Sequence, residues 1–124
     1  MGVDCTIRFP AGSVPAWDSV KSRLTRIGEA APLRMIDGLP AFPDETPDEG
    51  WSELRIGFAS GMVTLRKGAE SLTCVVWGNA DSTLFAARDL LAWACAAAGS
   101  GVIVTPSGEV PAPEFARLSG ISPA

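Results

Sequence analysis

Three cysteines, two pairs of adjacent carboxylates and one strand-to-helix junction are the places where this sequence could do chemistry. Cys5, Cys74 and Cys95 could supply a thiolate nucleophile, or three of the four ligands of a zinc ion with a carboxylate as the fourth. They are far apart in sequence, and the pattern around each puts it on the inward side of a strand or helix. That placement suits buried, inert thiols, although a shared core could bring two of them close. Asp44–Glu45 and Asp48–Glu49 are carboxylate pairs of the kind that general acid–base catalysis uses. They sit in a proline-rich loop, and proton transfer needs groups held on rigid elements. The same loop lacks the alternating ligands and central glycine of a calcium-binding loop. Gly78-Asn79-Ala80-Asp81-Ser82 lies where phosphates bind at helix N-termini. It has neither the glycine pattern nor the lysine of a phosphate-binding loop, and Asp81 would repel an anion.

The chain has no histidine and no tyrosine. It therefore lacks the commonest general base, the commonest metal ligand near neutral pH, and every nucleophile–base triad that uses histidine. No Gly-x-Ser-x-Gly elbow is present. The expectation is a protein that is not an enzyme and that uses no cofactor and no metal. An enzyme relying on Cys or Asp/Glu alone is the remaining catalytic possibility, and resistance of all three thiols to alkylation would remove its cysteine form.

The elements that would position these groups follow from length and pattern. At 124 residues the chain is long enough for one domain that buries about two-thirds of its unfolded surface without disulfides or metal. The expected domain spans 1–118, and residues 119–124 form a tail that should fray. The net charge is −4, with eight Arg and two Lys. Such a balance disfavours general nucleic-acid binding, which draws on clustered positive charge. The N-terminus has no basic segment followed by an apolar one, and an odd cysteine count is not a secreted disulfide framework. Both point to a cytoplasmic protein. Richness in Ala, Gly, Pro and Arg is the composition of a high-GC bacterial coding sequence.

One stretch dominates the pattern. From Asn79, a good N-cap, to Gly99 and Gly101, which suit a left-handed stop, the residues are apolar almost all round. Only Arg88 and Asp89 are charged beyond the first turn. The run is shorter than a membrane span of about 20 residues, so it reads as a buried helix and no membrane is expected. Earlier in the chain, Val3 to Phe9 alternates as a half-buried strand. Val14, Trp17, Val20, Leu24 and Ile27 then recur at helical spacing, with Ser13 as cap, Pro15 in the first turn and Gly28 as terminator. Pro32–Asp37 is a short strand. The segment 38–50 holds three prolines and four acids and reads as irregular, pinned by Leu39 and Phe42. A period of two returns over 51–58, 62–67 and 70–77, with tight turns at Ala59-Ser60-Gly61 and Lys67-Gly68-Ala69. Val102–Val104 is a last strand, Thr105–Gly108 a turn, and Pro113–Leu118 one helical turn.

The order β-α-β-β-β-β-α-β with tight turns predicts a two-layer α+β domain. Its sheet is mainly antiparallel, with two helices on one face. In element order alone it is similar to one half of the TATA-binding-protein fold, a likeness of topology that no motif carries and that implies no function.

Alternation also assigns what the uncovered sheet face displays. Trp51, Met62, Val75 and Trp77 point outward beside Arg55 and Arg66, types enriched at protein interfaces. The expected function is therefore an interaction domain working through this face, as a homodimer or with another protein. Asp44, Glu45, Asp48 and Glu49 form an acidic contact loop that would speed association with a basic partner. Two alternatives stand beside it. Trp51 and Trp77 could instead cover the sheet ends or lie beneath the acidic loop. The protein could also bind a small molecule, between sheet and helices or under the 38–50 loop.

Overall fold

Alternating apolar and polar residues build the strands in the computed structural model of the chain, which describes residues 3–77 and 81–121. The order is β1 (Val3–Arg8), α1 (Trp17–Arg26), β2 (Leu33–Ile36), β3 (Leu39–Pro40), β4 (Glu53–Phe58), β5 (Gly61–Lys67), β6 (Ser71–Val76), α2 (Ser82–Gly99), β7 (Val102–Thr105), β8 (Gly108–Pro111) and α3 (Ala112–Ser119). The strands form one sheet in the order β3-β2-β4-β5-β6-β1-β7-β8. Every neighbouring pair is antiparallel.

Helix α2 lies across β1, β5, β6 and β7 and is flanked by α1 and α3. Ile7, Leu54, Ile56, Val63, Leu65, Leu72 and Cys74 line the inner face of the sheet, all at 0% exposure. This is the expected α+β plan of a helical layer on one face of an antiparallel sheet. β3, β8 and a full third helix go beyond the expected order, so the likeness to a TATA-binding-protein half ends at a shared run of elements.

The extra elements have local causes. Asp37 and Gly38 both have positive φ, 51° and 82°, as a type I′ hairpin turn requires. That turn folds Leu39–Pro40 back onto β2, with Ile36 opposite Leu39 and Met35 opposite Pro40. The start of the 38–50 segment is thus a strand. Leu39 and Phe42, expected to pin the loop, are instead 69% and 74% exposed. The loop is held by Ala41 N–H to the Arg34 carbonyl, Leu33 N–H to the Pro43 carbonyl and Lys67 Nζ to the Glu49 carbonyl. At the other edge, Gly108 at φ 125° turns β7 into β8. The two edge strands each carry a proline, Pro40 and Pro111.

Helix ends differ from expectation by a residue or two. Asp81 caps α2, its Oδ1 accepting from Leu84 N–H at 3.1 Å and from Thr83 Oγ1 at 2.6 Å. Asn79 lies outside the described residues. At the far end the left-handed residue is Ser100, with φ 56°. Gly99 and Gly101 serve close approach instead. A Cβ on Gly99 would stand 2.7 Å from Phe9 and from the Ser13 carbonyl, and one on Gly101 would stand 2.6 Å from Phe9. Helix α1 starts at Trp17 after an Ala16 cap that offers no side-chain acceptor. Ser13 lies too far before Trp17 to cap it, and its N–H closes a separate turn onto the Pro10 carbonyl. Pro15 accordingly precedes the helix. Residues Ser119 to Ile121, expected to fray, complete α3 instead. Gly120 is its left-handed cap, Ile121 N–H returns to the Ala116 carbonyl, and the Ile121 side chain packs against the core.

Candidate interaction face

The sheet face opposite the helices carries side chains in rows set by the strand register. One row runs Met35, Arg55, Thr64, Val75 and Asp4; the next runs Glu53, Arg66, Thr73 and Thr6. Met62 lies two residues along β5 from Thr64, and Trp77 directly follows the end of β6. They are 47% and 53% exposed. Among the described residues no helix covers this face.

Val75 is nevertheless only 1% exposed and Thr64 4%, and Val75 does not belong to the apolar cluster beneath the helices. Register explains how they are covered. The Arg66 row and the positions of Met62 and Trp77 are four residues apart, about 13 Å along a strand. The Arg66 guanidinium nevertheless sits 5.4 Å from the centre of the Trp77 ring. Both side chains must therefore lean over the row between them, which holds Thr64 and Val75. The contact is a cation–π pair, and it makes a strap over a small second core. Val75 is thus the floor of this face and not a contact residue on it.

The electrostatics centre on Glu53. Its Oε2 lies 3.2 Å from Arg66 Nε, and its Oε1 lies 3.8 Å from Arg55 Nε. The Arg55 Nε is shielded from solvent and has no hydrogen-bond acceptor in reach. Arg34 joins them. A β-bulge between Leu33 and Met35 frees it from the strand alternation, and it lies over Gly57, where an added Cβ would stand 2.6 Å from its Nε. Two guanidinium groups thus flank the Glu53 carboxylate, and Arg34 stands further along β4, in the row of Met62. Arg8 and Glu109 pair at 2.5 Å on β1 and β8.

Trp51 is not on this face. β4 begins at Glu53, so alternation does not reach back to residue 51. Trp51 N–H closes a turn on the Asp48 carbonyl, and its ring is buried on the helix side at 3% exposure. Lys67 Nζ lies 4.4 Å from the ring centre and donates to the Glu49 carbonyl at 2.7 Å. This is the alternative placement, beneath the acidic loop. The face therefore gathers Arg55, Met62, Arg66 and Trp77 from the expected set, adds Arg34 and Met35, and loses Trp51 and Val75 as contacts.

The acids Asp44, Glu45, Asp48 and Glu49 are all exposed. Glu45 Oε1 accepts from Phe42 N–H, and Asp48 Oδ1 accepts from Gly50 N–H. Asp37 plays a different part. Its Oδ1 accepts from Ser52 N–H, Ser52 Oγ and Glu53 N–H at 2.8–3.0 Å. The two backbone donors, Ser52 first, hold its carboxyl below the usual value.

Under the loop, a groove of about 280 Å³ separates Thr46–Glu49 from the start of α1 and is floored by Trp17 and Trp51. The buried Trp17 Nε1 has no acceptor. Between the sheet and α2 the facing residues are fully buried. Other cavities open at the margins of the helical layer, among them one of about 650 Å³ beside the β4–β5 turn and one of about 480 Å³ beside Trp93.

The three cysteines do converge. Cys5 and Cys74 are cross-strand partners, and Cys95 on α2 stands close enough to Cys74 to influence its thiol. All are free and buried. Burial, reinforced by Cys74, pushes the Cys5 thiol up to about 12. Burial and Cys95 push Cys74 up as well. Such thiols are protonated and weakly nucleophilic near neutral pH. Among the described residues no group of His, Cys, Asp and Glu is placed to hold a metal ion, and no helix is long and apolar enough to cross a membrane.

Comparison with known protein families, with curated proteins and with solved structures finds no match. The interpretation of this face therefore rests on its own geometry.

Proposed function

We propose that the chain is a non-enzymatic interaction domain that binds protein through the helix-free face of its sheet. The observation that carries this is the pairing of half-exposed Met62 and Trp77 with the cluster Arg34, Arg55 and Arg66. Aromatic, Met and Arg side chains in one patch are what interface centres favour. The exposed acids at Asp44, Glu45, Asp48 and Glu49 form a second contact element on the edge. Native mass spectrometry of gently purified untagged protein tests the proposal. A complex, with itself or with another protein, should be present for the natural sequence. It should be lost for Met62→Ser/Trp77→Ser with the fold intact by circular dichroism. A complex that survives the double change refutes this use of the face.

A second use is favoured by one observation, the unpartnered indole N–H of Trp17, a residue that lines the groove under the loop. A small molecule with a hydrogen-bond acceptor would complete it. Non-protein mass retained by the natural chain and lost on Trp17→Phe would support this use; bare protein mass in both would remove it.

A further inference from the structure

The charge pattern of the helix-free face has its inverse elsewhere on the same molecule. The face offers Arg34, Arg55 and Arg66 against the carboxylates of Glu53 and, at its far side, Asp4, with apolar Met62 and Trp77 alongside. β3 and the segment after it offer Leu39 and Phe42, the two most exposed large apolar side chains among the described residues. Four exposed carboxylates, Asp44, Glu45, Asp48 and Glu49, accompany them. One surface is apolar with excess positive charge; the other is apolar with excess negative charge. Complementarity of this kind selects partners and sets register.

The two cannot meet within one chain. Residues 46–49 line the groove with Val14–Asp18, and Lys67 holds the Glu49 carbonyl. The segment is therefore wrapped around the sheet edge toward the helical layer, away from the face. In two copies related by a two-fold axis, each segment can lie on the other's face and both contacts form at once, which closes the assembly. Arg55 Nε has no hydrogen-bond acceptor, the Glu53 carboxylate standing off at 3.8 Å. Such a donor is costly to leave unmet.

We infer that a second copy of this chain docks its acidic Leu39–Glu49 segment on the Arg34–Arg55–Arg66 face, with Phe42 beside Met62 and Trp77. The inference rests on the proposed use of this face and names its occupant. Sedimentation equilibrium of the full chain tests it with two charge-reversed variants. Arg34→Glu/Arg55→Glu alters the face and spares the Arg66–Trp77 strap. Asp44→Lys/Glu49→Lys alters the segment and spares the side-chain hydrogen bonds of Glu45 and Asp48.

The natural chain should form a dimer that weakens with salt. Each variant alone should associate at least about tenfold more weakly. An equimolar mixture of the two should restore a heterodimer, since both of its contacts are again of opposite charge. A natural chain that stays monomeric overturns the inference. So does a mixture that stays monomeric when both variants are folded. If the monomeric chain still binds another protein through Met62 and Trp77, only the choice of occupant falls. If a dimer forms that neither the charge reversals nor Met62→Ser/Trp77→Ser weaken, the use of the face falls with it.

Discussion

The two faces of this sheet bury residues by different means. On the inner face, Leu54, Ile56, Leu65 and Leu72 are covered by a separate layer of helices far away in sequence. On the outer face, Thr64 and Val75 are covered by side chains of the sheet itself, chiefly the strap between Arg66 and Trp77. The first kind of burial opens only when the domain unfolds. The second depends on two side-chain rotamers and opens when either swings away, on the nanosecond scale typical of exposed side chains. A surface of the second kind can be stable alone and still rearrange to meet a partner.

The contrast can be broken most directly by truncating one residue from each face. Leu65→Ala, on the inner face, should cost about 2–5 kcal/mol in urea unfolding. Val75→Ala, equally hidden on the outer face, should cost only about 1.5 kcal/mol, the transfer value of the lost groups, because the strap can settle onto the smaller floor. Equal costs would show that the two cores are one. The thiols sharpen the inner side. Folding raises the Cys5 pKa from its ordinary 9.0 to about 12. Its contribution to stability is thus complete below pH 9 and is lost as pH climbs from about 9 toward 12. At pH 8 the three thiols should react with an aromatic disulfide reagent only at the rate of unfolding. Fast labelling of Cys74 or Cys95 would contradict the tight cover.

Met62→Ser/Trp77→Ser should change stability by no more than about 1 kcal/mol while quenching the salt-sensitive part of the tryptophan fluorescence. A larger loss would make the strap a structural necessity. The smallest effect concerns the clip joining β2 to β4. Folding lowers the Asp37 carboxyl below 3.8, so its contribution is whole above that pH and drains away as pH falls through the lowered value. Asp37→Asn keeps an acceptor but removes the charge. It should lower stability slightly in the neutral region, where the charge contributes, and so flatten the acid limb while leaving the most acidic end nearly unchanged.

Periodicity made the main frame legible before any coordinates. Alternation marked β1, β4, β5 and β6, and the apolar stretch marked α2, because those elements are long enough to repeat. The outer face was half legible. Met62, Arg66, Arg55 and Trp77 follow from alternation. Trp51 does not, because it precedes the first residue of β4, where parity has no meaning. Val75 was given its correct side, but alternation cannot say that neighbours on the same side will fold over a residue. Arg34 was out of reach, since a bulge resets parity at one residue without a signal in the sequence. β3 was within reach. Asp37-Gly38 between Ile36 and Leu39 is the dipeptide of a type I′ hairpin, although the prolines that follow carry the opposing signal of irregular structure.

The prolines at the two margins carry one more meaning. Pro40 and Pro111 sit on the outermost strands, and neither can offer an amide hydrogen to an incoming chain. The sheet is thereby finished at eight strands and gives poor purchase for lateral growth into a ribbon. Crowding many copies together should accordingly yield small countable particles stacked across the sheet plane, not filaments lengthening within it.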